Sequence, residues 1–190
     1  MEAKELQEAR TNPDFLKFLL EKEELANETR SIKELYEVLD VMLVLDLDEN
    51  KINTIFDTIL QVAFEKVEEA LANKKPLDLA SDDLYIARAI YEYAIENWSS
   101  QNPDGAKGIF YILNSILEDK HLNNSLMVHI ISTHNQESLE SFYNKVVPNE
   151  ANQDIYGYFI TNYNFDIDEY IKENINIIND INTQIQSMMG

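Results

Sequence analysis

Between Ile52 and Ala70 the apolar residues Ile52, Ile55, Phe56, Ile59, Ala63, Val67 and Ala70 recur at steps of three and four. That period matches the turn of an α-helix and puts all seven on one stripe, so the segment predicts one long amphipathic helix. No segment alternates apolar and polar residues with period two over the length of a strand. No Asn-Gly or Asp-Gly pair lies between β-branched runs either; Asp104-Gly105 falls at a helix start. Four glycines and four prolines in 190 residues are too few for a turn-rich β-fold. The expected fold class is therefore all-α, a compact multi-helix bundle or short helical-hairpin array of about eight to ten helices joined by short connections.

The punctuation divides the rest of the chain. Asn12-Pro13 reads as an N-cap with proline at the first helical position, followed by an apolar face of Phe15, Leu16, Phe18, Leu19 and Leu20. Ser31 and Glu34 form a capping-box pattern that opens a helix carrying Ile32, Leu35, Tyr36, Leu39, Met42 and Leu43. Lys74-Lys75-Pro76 ends the long helix, because a residue before proline avoids the α region. Ser81 caps the next helix, from Asp82 to Trp98, whose one full-length polar stripe is Arg88, Glu92 and Glu96. A helix apolar over so much of its circumference packs against several neighbours, and it is expected at the centre of the fold. Asn102-Pro103 starts another helix from Gly105 to Leu117, and further helices are expected at Asn124–Ser132, Gln136–Val146 and Asn149–Asn162. Asp166 and Glu169 cap a last helix running nearly to Met189. Residues 1–190 are expected to form a single helical domain, with substructure at 1–75 (N-terminal helices), 82–165 (central hairpins) and 166–190 (C-terminal amphipathic helix).

In the central part, Ala94, Ala106 and Phe110, with Ile90 before them, stand at the spacing of small and aromatic residues in a tetratricopeptide-like unit. Residues 89–118 thus resemble one such helical hairpin, with departures at Asn97, Leu113 and Glu118 and no second copy at that period. The resemblance implies a peptide-binding surface on the first helix of the hairpin and no catalysis.

Charge narrows the function. Fifteen Lys and Arg against 35 Asp and Glu give a net charge of −20. After Pro76 the only bases are Arg88, Lys107, Lys120, Lys145 and Lys172, with no run among them. Binding to nucleic acid or to an anionic membrane needs clustered cations, so neither is expected, and the field instead favours a basic protein partner. The chain has no cysteine, which excludes disulfides and thiolate chemistry and suits a reducing cytoplasm. MEAKELQEAR carries no apolar secretory core, and the longest apolar stretch in the front half is only Val41–Leu45, so a soluble cytoplasmic protein is expected.

No motif points to catalysis. Asp46, Asp48, Asn50 and Asp57 imitate a calcium loop, but Lys51 stands where the turn needs glycine, and helix N-terminal charge explains the acids better. His121, His129 and His134 lack metal-ligand spacing and read as surface or helix-end residues. Ser99, Ser100, Ser138 and Ser141 have no nucleophile-elbow setting, and Gly105-Ala-Lys-Gly108 is too short for a phosphate loop. No catalytic residue, metal or cofactor is expected.

Two features remain for binding. Tyr85, Tyr91, Trp98, Phe110 and Tyr111 concentrate aromatic surface on the central hairpin and are the expected partner-binding residues. In the last helix Ile167, Ile171, Asn174, Ile178, Ile181, Ile185 and Met188 alternate steps of four and three, a heptad seam with one register-fixing asparagine. Ile171, Asn174, Ile178, Ile181 and Ile185 would serve a homodimer, capture of a partner helix, or docking onto the chain's own body, and off-seam Ile175 and Ile177 widen the face in favour of docking. The leading expectation is a non-enzymatic adaptor or chaperone-like interaction module. An acidic immunity-type inhibitor of a basic toxin or nuclease is the first alternative, and an enzyme with carboxylates converging from distant helices the second.

Overall fold

The computed structural model describes the backbone of residues 3–147 and 155–189 and the side chains of 5–147 and 155–184. Among the described residues there are ten helices: α1 (Ala3–Thr11), α2 (Pro13–Thr29), α3 (Ile32–Val44), α4 (Glu49–Asn73), α5 (Asp83–Ser99), α6 (Pro103–Ser115), α7 (Lys120–His134), α8 (Leu139–Tyr143), α9 (Ile167–Glu173) and α10 (Ile175–Met189). No strand forms among these residues; two isolated bridges, Leu77 with Leu117 and Val146 with Tyr163, tie loop segments together. The fold is all-α, as the periodicity requires. None of the described helices is long and apolar enough to cross a membrane.

Side-chain caps set the helix starts. Asn12 accepts from the amides of Asp14 (3.0 Å) and Phe15 (3.2 Å), and Ser31 accepts from that of Glu34 (3.4 Å). Asp119, Ser138 and Asp166 cap α7, α8 and α9 in the same way. Asn102 accepts from the amide of Gly105 at 3.1 Å, and its side chain lies so close that a β-carbon at Gly105 would collide with it. Gly108, by contrast, has open space beside it. With few glycines to spare, the chain leaves its helices through left-handed residues of other types: Arg30, Asp46, Lys74, Gln101 and Gln136 all have φ between 50° and 61°. After four of them the next amide reaches back to close the helix end: Leu47 to Met42, Lys75 to Ala70, Asn102 to Asn97 and Glu137 to Ser132, at 3.0–3.1 Å.

The chain divides into two compact units, Met1–Glu69 and Ala70–Gly190, where the sequence suggested one domain with a break near residue 75. The boundary falls inside α4, between Glu69 and Ala70. In the first unit α1 packs on α2 and α2 on α3, burying Leu19, Ala26, Leu35, Tyr36, Leu39 and Met42. Arg30 ties the end of α2 to Glu65 of α4 at 2.6 Å. Asp48 accepts from the amide of Lys51 at 3.2 Å at the start of α4, which continues unbroken through Asn53 and Asp57. The apparent calcium loop is therefore a helix N-terminus.

In the second unit α6 packs against both α5 and α7, and α8, α9 and α10 close around them. The expected central helix, α5, is well buried, but α7 is more so: Leu122, Ser125, Leu126, Val128, His129, Ile130, Ile131, Ser132 and Thr133 are all inside. Its serines and threonine look polar in sequence, yet Ser125 and Thr133 donate to the carbonyls of His121 and His129 four residues back, so each buries without losing a hydrogen bond.

Three expected helices differ. Gln136–Val146 shrinks to the five residues of α8. Of Asn149–Asn162, residues 149–154 lie outside the described residues, and 155–162 are non-helical, a turn followed by irregular chain. The last helix is broken, since Asn174 leaves helical geometry (φ −102°, ψ 18°) and its side-chain amide donates to the carbonyl of Tyr170 at 2.8 Å. The asparagine read as a register device is a joint between α9 and α10.

Candidate functional site

The aromatic residues expected to offer a binding surface build the core of the second unit instead. Tyr91, Trp98 and Phe110 are 3% exposed or less. They surround the fully buried imidazole of His129 together with Phe142 and Tyr163, at ring-centroid distances of 4.8–6.4 Å. Trp98 lies 4.7 Å from Phe142 and donates its indole N–H to the carbonyl of Glu137 at 2.7 Å. Each well-placed aromatic pair adds about 0.5–1.5 kcal/mol beyond the area it buries. These three residues cannot meet a partner without unfolding; of the expected five, Tyr85 and Tyr111 keep partial exposure. Tyr85 neighbours Tyr158 at 6.4 Å, and the Tyr111 hydroxyl donates to Asn182 of α10 at 3.3 Å.

His129 was expected at a surface or helix end, and its burial is the main correction. The hydrogen bonds fix its tautomer. The Ser125 carbonyl, 2.8 Å from Nδ1, can only accept, so Nδ1 carries the proton. Nε2 then accepts from the Tyr91 hydroxyl at 2.9 Å, and the Tyr91 oxygen in turn accepts from the amide of Ile160 at 3.0 Å. Tyr163 donates to the Ile160 carbonyl at 3.1 Å. Burial disfavours the charged imidazolium and pulls the His129 pKa down to about 4, against the opposing bond to Ser125. Burial likewise pushes the Tyr91 and Tyr163 phenols well above their ordinary range. The result is a neutral hydrogen-bonded chain joining α5, α7 and the segment around Ile160.

At the edge of this core Lys145 pairs with Glu137 at 2.5 Å and donates to Ser132 at 3.3 Å. Partial burial would raise the Glu137 carboxyl, but its hydrogen bonds from Lys145, Ser132 and Ser141 win and hold it below the usual range. Arg88, on the polar stripe of α5, is 7% exposed. Its guanidinium stacks 4.4 Å from the Tyr158 ring centroid and pairs with Glu92 at 2.8 Å.

Among the described residues two open concavities stand out. One, of about 500 Å³ in the second unit, is walled by Pro76–Ala80, Glu118, Asp119 and Ile155. Two of its carboxylates are engaged: Asp78 accepts from the amide of Ala80 at 2.9 Å, and Asp119 from the amide of Leu122 and the hydroxyl of Tyr156, both at 2.8 Å. The other, of about 320 Å³ in the first unit, is lined by Ala9 of α1, Phe15 of α2, Asp40, Val41 and Val44 of α3, and Leu45. Leu43 and Val44 beside it are 53% exposed, with Phe18, Leu20 and Leu25 of α2 exposed on the same unit. The sequence puts both Met42 and Leu43 on the apolar face of α3; Met42 is buried, whereas Leu43 faces out. Five consecutive apolar residues on a helix cannot all face inward, and that was the available signal.

Of the seam residues, Ile181 is buried within the single chain, while Ile171, Asn174 and Ile178 are half-buried; off-seam Ile175 is exposed. The Ile185 side chain lies outside the described residues. Among the described residues no three His, Asp or Glu side chains are grouped to hold a metal ion. No family model matches the chain, and neither a curated protein nor a solved structure is significantly similar to it.

Proposed function

We propose that the chain is a non-enzymatic protein-interaction module, adaptor or chaperone-like, that holds a segment of another protein. The observation that carries this reading is the apolar concavity of the first unit, with its exposed Val44 and Leu43, on a strongly acidic chain. The aromatic core around His129 is filled and its polar atoms are partnered, which fits a scaffold better than a reaction centre.

The net charge of −20 favours a second reading, an immunity-type inhibitor that covers a basic toxin or nuclease. Association kinetics separate the two. An inhibitor steered by charge has an on-rate that falls steeply as salt is raised, whereas a module anchored in an apolar concavity keeps most of its affinity and changes mainly in off-rate. The experiment is to recover a stoichiometric partner with the tagged full chain and measure association at low and high salt. Failure to isolate any stoichiometric protein complex overturns both readings.

A further inference from the structure

The groove of the first unit has an unusual pairing of wall and setting. Its walls are apolar almost throughout, although Asp40 of α3 is among the lining residues. Its volume, about 320 Å³, lies at the low end of ligand pockets, which suits one or two large apolar side chains better than an extended cofactor. The unit as a whole is acidic: residues 1–69 carry eighteen Asp and Glu against eight Lys and Arg. One of those cations, Arg10, already faces Asp46 at 3.7 Å. An apolar hole in an anionic surface selects a ligand with an apolar anchor flanked by positive charge and repels an acidic one.

We propose that the groove between α1, α2 and α3 docks a cationic amphipathic helix of a partner protein. A leucine or phenylalanine from the helix enters the space between Phe15, Val41 and Val44, and lysines or arginines one turn away face the acidic surface of the unit. This is helix-in-groove recognition, in which residues three and four apart on the incoming helix supply the anchors. It rests on the interaction-module reading and specifies the partner for that same concavity.

The test uses the full chain and a leucine–lysine peptide of about 18 residues, long enough to be helical when bound, with all leucines on one face. The controls are a scrambled peptide of equal charge and composition, and a peptide with glutamate in place of lysine. The protein variants are Val44→Asp in the groove, Val44→Ser there without added charge, and Ile112→Asp. Ile112 is another exposed apolar residue in the last turn of its helix, in the second unit. Val44→Asp makes the protein more acidic, so simple charge attraction would strengthen binding. Docking predicts the opposite: a loss of about tenfold or more for both Val44 variants, since a Val or Leu contact contributes on that order. It also predicts little change for Ile112→Asp and no binding of the glutamate peptide. Equal affinity for the amphipathic and scrambled peptides overturns the proposal, as does indifference to both Val44 variants. A dimer in sedimentation that Val44→Ser converts to monomer also overturns it, by making a second copy the occupant. Loss on Ile112→Asp alone overturns the groove while leaving the interaction-module reading intact, because binding has then moved to the other unit.

Discussion

Replacing Tyr91 by phenylalanine isolates the hydrogen-bonded chain at the heart of the second unit. The ring keeps its packing, 5.2 Å from Phe159 and 5.7 Å from Phe110, and only the hydroxyl is lost. That oxygen serves two groups: it donates to His129 Nε2 at 2.9 Å and accepts from the Ile160 amide at 3.0 Å. A buried polar group left without a partner costs about 1–3 kcal/mol. The His129 nitrogen is fully enclosed and takes that penalty, whereas the Ile160 amide sits in a half-buried segment and takes less. The expected loss is about 2–4 kcal/mol, a large share of the about 5–15 kcal/mol of a typical domain. Trp98, the single tryptophan, lies 6.3 Å from His129, so its emission in urea reports the unfolding of this unit specifically. With a slope of about 2 kcal/mol per molar urea, the midpoint should fall by about 1–2 M. Tyr111→Phe is the control: its hydroxyl makes a solvent-exposed bond to Asn182, and its loss should stay within about 0.5 kcal/mol. Equal, small shifts for the two variants would refute the reasoning, and so would loss of partner binding by Tyr91→Phe with unchanged stability, since that would put Tyr91 on a surface.

Other consequences of the same geometry are open to measurement. His129 should stay neutral until about pH 4, and a ring titration midpoint near 6.5 in nuclear magnetic resonance would contradict its burial. The unfolded histidine takes up its proton at about 6.5, so the His129 contribution is full above that pH and falls by about 3 kcal/mol as the pH drops to the native value. Glu137 has the depressed pKa of a paired carboxylate, so its contribution is present at neutral pH and lost as acid protonates it; Glu137→Gln should flatten that part of the acid-unfolding curve. Gln101 sits at φ 61° between α5 and α6, where glycine carries no steric penalty, so Gln101→Gly should raise stability by about 1 kcal/mol in urea titration. A fall instead would mean that the Gln101 side chain contributes more than its backbone strain costs.

The fold class and most helix starts were legible in the sequence because they depend on local physics. The stripe from Ile52 to Ala70, the proline after Asn12 and the oxygen of Ser31 act within a few residues of themselves, and one helical turn is enough to express them. What escaped depended on neighbours distant in the chain. His129 is a polar letter that became a core residue only because Tyr91 lies 38 positions away and supplies the missing donor. The same aromatic residues that read as a binding face were drawn inward around it, since burying large rings contributes more than leaving them wet. Asn174 fits a heptad by spacing, and nothing in that spacing reveals that its side chain binds its own helix and ends it. Composition and periodicity thus determined an acidic helical protein; tertiary packing alone decided which apolar residues were consumed by the core, such as Met42, and which, such as Val41 and Val44, were left to line a groove. The physical reason is that helices are written by interactions three or four residues apart, whereas burial is a competition among all of them for one interior.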